Sequence, residues 1–278
     1  MPVISLTTDF GLTDPYAGIM KGVIASICPE ASVIDLTHQI DPQDVHGAAY
    51  VLSDARPYFP ADAVHVCVVD PGVGSGRRII ALKTAAGVFL APDNGVLSLV
   101  MEDLPPVKVF CVENPDIFLH PASQTFHGRD VFAPAAAHLA CGMPLGRLGA
   151  PVAAHFLVRL DFGPQPVVDK DGALTGAIVA VDRFGNLVSN ITRAHLQEAF
   201  GIRDAQDASV CVQVGDQVIS GIVSSYQSVG QGAPLAIIGS TGRLEISVNC
   251  GSAARYFCAG RGDRVTLRQA CDPGPGAA

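Results

Sequence analysis

Short β-rich runs alternate with helical stretches through the first half of the chain. Residues 3–6 are strand-like, and residues 64–69 form an almost continuous apolar run, typical of a strand buried on both faces. Asp14-Pro15 predicts a helix start, because an N-cap acid is often followed by proline at the first helical position. Cys28-Pro29 is predicted to end that helix. Further strands are predicted at 32–36, 79–82, 88–91 and 107–112, and helices at 45–55 and 130–140.

This alternation predicts an α/β fold, an open and mostly parallel sheet with helices on its faces. The pattern changes after about Gly149, where 151–172 is rich in proline and glycine and lacks a long periodic segment. Short strands dominate from Leu174 onward, which predicts a smaller antiparallel β-barrel domain. The expected organisation is an α/β domain at 1–155, a linker at 156–172, a β-barrel domain at 173–270 and a disordered tail at 271–278.

Composition narrows the possible partners. The 278 residues are 49% hydrophobic and 16% charged, so the chain can bury a sizeable core. The net charge is -8 and no basic run occurs, which argues against nucleic acid as a partner. Apolar stretches are interrupted well short of a membrane span, and the first residues lack the basic region of a signal peptide, so we expect no membrane association. The eight cysteines are scattered singly, which predicts small core residues in a reducing cytoplasm.

Polar residues cluster where predicted strands end, the usual place for sites in open α/β sheets. The glycine-rich stretch after Asp70 lacks the Lys-Ser/Thr of a phosphate loop, and a strand rather than a helix follows it. We therefore reject a phosphate site there. Histidines and acids of metal-ligand type are present without HxH or HExxH spacing, so no metal is expected.

Several motifs follow one another along the chain: Thr8-Asp9-Phe10-Gly11, Asp35-Leu36-Thr37-His38, Val69-Asp70-Pro71-Gly72-Val73-Gly74 with Arg77, Pro92-Asp93-Asn94-Gly95, His127-Gly128-Arg129-Asp130 and Phe184-Gly185-Asn186-Leu187-Val188-Ser189-Asn190. This ordered set resembles the S-adenosyl-L-methionine (SAM) hydroxide adenosyltransferases, adenosine-forming hydrolases related to the bacterial fluorinase and chlorinase. The resemblance implies an N-terminal α/β domain, a C-terminal β-barrel, and a homotrimer with sites at the subunit interfaces. SAM would be the substrate, with no further cofactor.

The resemblance assigns Asp70, Arg77 and His127 as the catalytic residues that hold and activate an attacking water. The halogenating relatives carry tyrosine at the positions of Asp70 and His127. A carboxylate would repel a halide ion at close range, so Asp70 favours hydrolysis over halogenation.

The same resemblance implies the substrate-binding residues. Asp9 matches the acid that grips both ribose hydroxyls, since a carboxylate can accept two hydrogen bonds at once. Departures occur at Thr241 and Gln43, where the fluorinase has arginine and tryptophan, and the spacing from 182 to 186 is one residue shorter than in the halogenases. The other implied contacts are Asp14 and Tyr16 to the nucleoside, Asp182 and Asn186 to the methionine ammonium and adenine, Phe184 beside the base, and Ser240, Glu245 and Asn249 closing over the ligand.

The expected function is hydrolysis of SAM to adenosine and L-methionine, a nucleophilic substitution by water at the ribose C5′. Several alternatives stay open on sequence alone. They are a halogenase forming 5′-halo-5′-deoxyadenosine, a non-catalytic protein that binds SAM or adenosine, and a metal-dependent hydrolase.

Overall fold

The computed structural model describes residues 1–204 and 206–269. These residues form two compact units, of which the first comprises Met1–Asp161 and the second begins at Phe162. The tail at 271–278, predicted to be disordered, lies outside the described residues. Within the described ranges, no helix is long and apolar enough to cross a membrane.

The first unit contains the strands β1 (Val3–Thr8), β2 (Ser32–Thr37), β3 (Val64–Val68), β4 (Ile79–Thr84), β5 (Gly87–Pro92) and β6 (Lys108–Cys111). They form one six-stranded sheet in the order β2-β1-β3-β5-β4-β6. The neighbours β2, β1, β3 and β5 are parallel, whereas β4 runs antiparallel to both β5 and β6. Every residue of β3 is buried, as its continuous apolar run predicts. The mostly parallel sheet is therefore confirmed.

The helices of this unit are α1 (Tyr16–Ile27), α2 (Val45–Ala55), α3 (Ser98–Asp103) and α4 (Ala133–Ala140). The predicted cap at Asp14 is wrong, because Pro15 occupies the N-cap position and its carbonyl accepts the first helical bond from the Ile19 N–H at 2.9 Å. The helix predicted at 130–140 begins instead as a π-helical turn at Gly128–Phe132, which α4 continues. A core of buried apolar side chains joins α1 and α4 to the sheet, including Ile4, Leu6, Met20, Ile24, Val66, Leu90 and Phe132.

The second unit contains the strands β7 (Val167–Val168), β8 (Leu174–Val181), β9 (Leu187–Thr192), β10 (Asp207–Val214), β11 (Gln217–Ile222), β12 (Pro234–Ile238), β13 (Arg243–Val248) and β14 (Arg264–Gln269). The main path of the sheet is β11-β10-β14-β8-β9-β13-β12, with antiparallel pairing throughout. A bridge between Val223 and Ile237 links the two ends of this path, which makes the sheet barrel-like. The predicted antiparallel barrel is confirmed. Two short helices, α5 (Arg193–Phe200) and α6 (Ala253–Phe257), complete the unit.

Cys28 and Cys141 form a disulfide, which corrects the expectation that the cysteines are unpaired. The bond joins the carboxyl-terminal ends of α1 and α4, where the two Cα atoms lie 6.0 Å apart. The two residues are 113 positions apart in the chain, so local spacing carries no signal of the pairing. Among the free cysteines, Cys67 is buried as expected, whereas Cys250 and Cys258 are exposed.

His65 is a buried histidine in the middle of the sheet. Its Nδ1 lies 2.8 Å from the Ser5 hydroxyl, and its ring stacks on Phe89 with 4.6 Å between centroids. Burial lowers the pKa of His65 from 6.5 to about 4, because the imidazolium form loses its hydration there. The unfolded chain therefore binds a proton more readily than the folded protein below pH 6.5.

We expect the free energy of unfolding to fall as the pH drops from about 6.5 to about 4, by about 3 kcal/mol from His65 alone. Urea unfolding at a series of pH values measures this loss. A His65→Gln variant should lose that part of the pH dependence, whereas His155→Gln, at an exposed position, should keep it. Equal pH dependence in wild type and His65→Gln would contradict the assignment.

Candidate active site

Asp70 and Arg77 form a buried ion pair at the carboxyl end of β3. Asp70 follows the strand by two residues, and Arg77 comes two residues before β4. The Arg77 Nε lies 2.9 Å from each Asp70 carboxylate oxygen, and its Nη2 also donates to Oδ2. Only 4% of the Asp70 side chain and 11% of the Arg77 side chain are exposed. The loop therefore presents a carboxylate whose position the guanidinium fixes.

His127 joins this pair through the same guanidinium. The Arg77 Nη2 lies 2.9 Å from the His127 Nδ1. Because arginine only donates hydrogen bonds, Nδ1 is the accepting nitrogen, and a neutral His127 carries its proton on Nε2. Partial burial lowers the pKa of His127, and the Arg77 charge lowers it further, against smaller opposing effects of Asp70 and Asp130. The ring is thus held neutral, with an N–H available to donate.

A close backbone approach holds the loop of Asp70 against the segment that carries His127. Gly74 has a φ of 76°, and a Cβ atom there would collide with the carbonyl oxygen of Gln124. Only glycine satisfies both the left-handed conformation and the lack of space. This contact explains how residues 57 positions apart in the chain, Asp70 and His127, meet at one arginine.

The π-helical turn after His127 is anchored by Asp130. This carboxylate is buried, accepts hydrogen bonds from the Ser123 N–H at 2.8 Å and from the Arg129 Nε at 2.6 Å, and forms an ion pair with Arg129. Burial raises the pKa of Asp130 while these hydrogen bonds lower it, and the net shift is downward. The Arg129–Asp130 pair therefore fixes the turn that follows His127, and we treat it as a support for the cluster of Asp70, Arg77 and His127 rather than as part of it.

A front cavity of about 280 Å³ lies beside the cluster and is lined by Asp9, Gln43, Asp70 and His127, among others. Asp9 follows β1, and its Oδ2 accepts the Gln43 backbone N–H at 2.8 Å. Among the described residues, Oδ1 has no protein partner. The carboxyl ends of β1 and β3 thus bring the predicted ribose-binding acid and the predicted catalytic acid into one cavity.

Two predicted nucleoside contacts lie outside the lining of this front cavity. Asp14 is exposed in the turn before α1. Tyr16 packs edge-on against Phe10 and Phe126, with 5.7 and 5.0 Å between ring centroids, and these two phenylalanines do line the cavity. Tyr16 therefore supports the aromatic wall instead of forming it.

The second unit holds a larger cavity of about 850 Å³, the barrel cavity, whose lining includes Asp182, Phe184, Asn186, Ser240 and Glu245. The predicted contact at Asn249 is not among its lining residues. The Asn249 amide instead donates to the Val229 carbonyl at 2.8 Å and holds a loop. Sequence reasoning missed Tyr226 and Arg255, which also line this cavity and stand in no recognisable motif.

Asp182 organises the turn between β8 and β9. Its Oδ1 accepts the backbone N–H groups of Phe184 and Asn186, both at 2.8 Å, and its Oδ2 accepts the Asn186 side-chain amide at 2.8 Å. Asn186 is buried, so this bond fixes its amide and leaves its carbonyl oxygen as an acceptor. Phe184 is 78% exposed at the tip of the turn. An exposed aromatic ring beside a fixed amide is suited to a flat, hydrogen-bonding ligand such as a purine.

Glu245 makes the barrel cavity acidic. Its carboxylate is buried in β13 and accepts the Tyr226 hydroxyl at 3.2 Å. Burial raises the pKa of Glu245, the Asp182 charge raises it further, and the bond from Tyr226 opposes both. A cationic ligand group beside these acids would be favoured.

Candidate metal ligands lie elsewhere in the described part of the chain. The one group with suitable spacing is Cys28, Glu30 and Cys141, whose two sulfur atoms are already joined as a disulfide. Thiolates are the metal-binding form of cysteine, so the disulfide leaves this group without its sulfur ligands.

An α/β sheet and an antiparallel barrel, with a carboxylate, a guanidinium and an imidazole joined by hydrogen bonds beside the front cavity, are typical of a two-domain enzyme that acts on a small organic molecule. Family models make the assignment specific. The SAM hydroxide adenosyltransferase N-terminal domain matches residues 4–149, and the C-terminal domain of that family matches residues 176–266. The chain belongs to the SAM hydroxide adenosyltransferase family.

Similar proteins agree with this family. The (R)-S-adenosyl-L-methionine hydrolase of Thermus thermophilus is 40% identical over 260 residues, which cover 91% of this chain and 94% of the relative. The hydrolase of the same name from Salinispora tropica is 40% identical over 96% of this chain and 97% of its own. The fluorinase of an Actinoplanes strain is more distant, at 29% identity over 97% and 98% of the two chains. The crystal structure of an uncharacterized conserved protein from Thermotoga maritima matches with a TM-score of 0.89 and 37% identity over 96% of this chain and 100% of that one.

The arrangement of His127 predicts its tautomer. Long-range nitrogen–proton NMR at neutral pH should show the Nε2–H form, and the pKa should rise in Arg77→Met, because the neighbouring positive charge is removed. The His127→Gln variant identifies the signal. An Nδ1–H tautomer, or an unchanged pKa in Arg77→Met, would show that Arg77 does not control this ring.

Proposed function

We propose that this protein hydrolyses SAM to adenosine and L-methionine by attack of water on the ribose C5′. The observation that carries the proposal is the joining of Asp70, Arg77 and His127 in one hydrogen-bonded cluster beside Asp9. Membership of the SAM hydroxide adenosyltransferase family supports the same reaction. Since the relatives are named (R)-SAM hydrolases, we extend the proposal to the (R) configuration at sulfur.

The chemistry requires an oriented nucleophile and little else. A sulfonium departs as a neutral thioether, so no acid is needed on the leaving group. The water oxygen forms a bond to C5′ as the C5′–S bond breaks and its electron pair passes to sulfur. Most of the lowering of the activation barrier therefore comes from orienting the water and C5′ for in-line attack. The buried Asp70–Arg77 pair and the fixed His127 ring are suited to this orientation.

We propose that Asp70 takes the proton, and the hydrogen bonds of the cluster support this choice. The Nδ1 of His127 is occupied by Arg77 and its Nε2 carries hydrogen, so the ring donates to the water oxygen. Among the described residues, the Asp70 Oδ1 accepts a hydrogen bond from the Arg77 Nε alone, whereas Oδ2 also accepts one from Nη2. Oδ1 is therefore the freer oxygen, and it receives the proton that the water loses as the C–O bond forms. Arg77 stabilises the hydroxide character that the water oxygen gains as its proton moves to Asp70.

Asp70 also favours water over a halide. A carboxylate at the nucleophile position repels an anion, and the one guanidinium beside it is already engaged by that carboxylate. Halide transfer is therefore not the reaction that this cluster suits.

Binding of the rest of the substrate is assigned to the barrel cavity. Asn186 and Phe184 would take the adenine, while Glu245 and Ser240 would face the methionine, whose ammonium the acidic wall favours. We further propose a homotrimer with its sites at the subunit interfaces, as the family resemblance implies, and a cytoplasmic location, which the five free cysteines among the described residues support. Light scattering would then give three times the chain mass of 28.8 kDa.

The direct test is product analysis after incubation with SAM of each sulfur configuration. We expect adenosine and methionine, faster consumption of the (R) form, and full activity with a chelator. Halo-adenosine in the presence of chloride or fluoride would support the halogenase, recovery of intact SAM would support a binding protein, and loss of activity with the chelator would support a metal-dependent enzyme.

Removing a member of the cluster should affect turnover more than binding. Asp70→Ala, Arg77→Ala and His127→Ala should each lower kcat by roughly 10²–10⁴-fold with little change in affinity for SAM. Steady-state rates give kcat, and calorimetry gives the affinity for SAM. His155→Ala, an exposed histidine outside the cavities, serves as the control. Near wild-type kcat in all of the cluster variants would disprove their roles.

Asp9→Ala should weaken nucleoside binding by about 1.5–3 kcal/mol, since hydrogen bonds to a charged group are lost. Calorimetric titration with adenosine measures the change. Asp14→Ala provides a matched control, because that acid is exposed and outside the lining of the front cavity. Equal affinities in the two variants would remove Asp9 from the ribose site.

A further inference from the structure

A separate cavity reaches the catalytic cluster from another side. It has a volume of about 350 Å³, and we call it the back cleft. Its walls include Arg77, Cys111, Glu113, Ala122 and His127. None of the roles proposed above uses this cavity.

The cluster itself separates the back cleft from the front cavity. His127 lines both cavities, Asp70 lines only the front one, and Arg77 lines only the back one. The partition therefore consists of side chains that meet at hydrogen bonds, such as the one of 2.9 Å between Arg77 and His127. A partition of this kind opens by rotation of side chains and needs no movement of a loop.

The proposed reaction consumes one water in every turnover. A ribose held by Asp9 would occupy the front cavity of about 280 Å³ and cover Asp70 and His127 on that side. Replacement or exchange of the water then needs a path that the substrate does not block. The back cleft reaches His127 and Arg77, and His127 lines both cavities.

The back cleft has the polar groups that ordered water requires. The Arg77 guanidinium uses Nε and Nη2 for Asp70 and His127, and among the described residues its Nη1 has no partner. Glu113 uses Oε1 to accept the Ala150 N–H at 3.0 Å and keeps Oε2 as an acceptor. The two N–H bonds of the Arg77 Nη1 and the Glu113 Oε2 acceptor, in an open cleft of this volume, are suited to holding a chain of waters.

We propose that the back cleft is the entrance through which water reaches the nucleophile position while substrate fills the front cavity. The proposal rests on the proposed hydrolase function. Water held by Nη1 of Arg77 exchanges with bulk solvent along the cleft, and it passes the cluster when the Arg77–His127 bond opens.

Isotopic trapping tests this path. Protein and SAM are mixed in ordinary water, the complex is diluted at once into an excess of oxygen-18 water, and adenosine from the first turnover is analysed by mass spectrometry. The obstructing variant is Ala122→Trp, at an exposed wall position outside the cluster, and Ala122→Ser is its control at the same site.

We expect wild type and Ala122→Ser to give adenosine with the isotope content of the final water. Ala122→Trp should retain excess oxygen-16 in the first turnover and show a several-fold lower kcat with unchanged adenosine affinity. Bulk-like labelling with unchanged kcat in Ala122→Trp would overturn the proposal. So would retention of oxygen-16 by wild type, because the water would then be trapped before the substrate binds.

A second pair of variants guards against misfolding. Cys111→Phe narrows the same cleft from a different wall, with Cys111→Ser as its control, and thermal unfolding reports whether each variant folds. The outcome is also separate from that of the proposed function. If wild type forms no adenosine from SAM, the hydrolase assignment fails, whereas a failed back cleft leaves adenosine formation intact and removes only the difference in labelling.

Discussion

The Arg77 guanidinium is the interaction on which the active site depends. It places a permanent positive charge between a carboxylate and an imidazole, holds both in position, and helps to lower the pKa of His127. Because Asp70 balances the charge of Arg77 and His127 is neutral, a cationic substrate can approach the cluster without repulsion from an imidazolium ion. A lysine would supply the charge without the planar set of donors that reaches both partners at once.

The sheet and the barrel were predictable because their signals are local. A strand buried on both faces, as β3 is, needs an uninterrupted apolar run, and the antiparallel strands of the second unit are separated by turn residues. The features that were missed depend on distant residues or on fine geometry. The Cys28–Cys141 bond joins two helix ends far apart in the chain, and the true cap of α1 is decided by the backbone angles of Pro15.

In the candidate site, too, some residues have local sequence signals and others depend on the folded structure. Asp9 and Asp70 were found because parallel strands deliver their carboxyl ends to one edge, where the structure brings both acids into one cavity. Asn249 instead lies outside the lining of the barrel cavity and donates to a loop carbonyl, because an asparagine in a loop serves backbone carbonyls as readily as a ligand. Tyr226 lies in a short turn between β11 and β12, and Arg255 lies in α6, so the barrel cavity receives them from outside the strands and no sequence spacing predicts them.

Gly74 has a consequence for changing the chemistry of this enzyme. Because a backbone carbonyl occupies the space where its side chain would be, the Asp70 loop and the segment before His127 are locked in register. An exchange of Asp70 for another residue keeps that lock, whereas an insertion or deletion in the loop breaks it and separates acid from imidazole. Evolution toward a new nucleophile is therefore confined to replacing side chains on a loop of constant length.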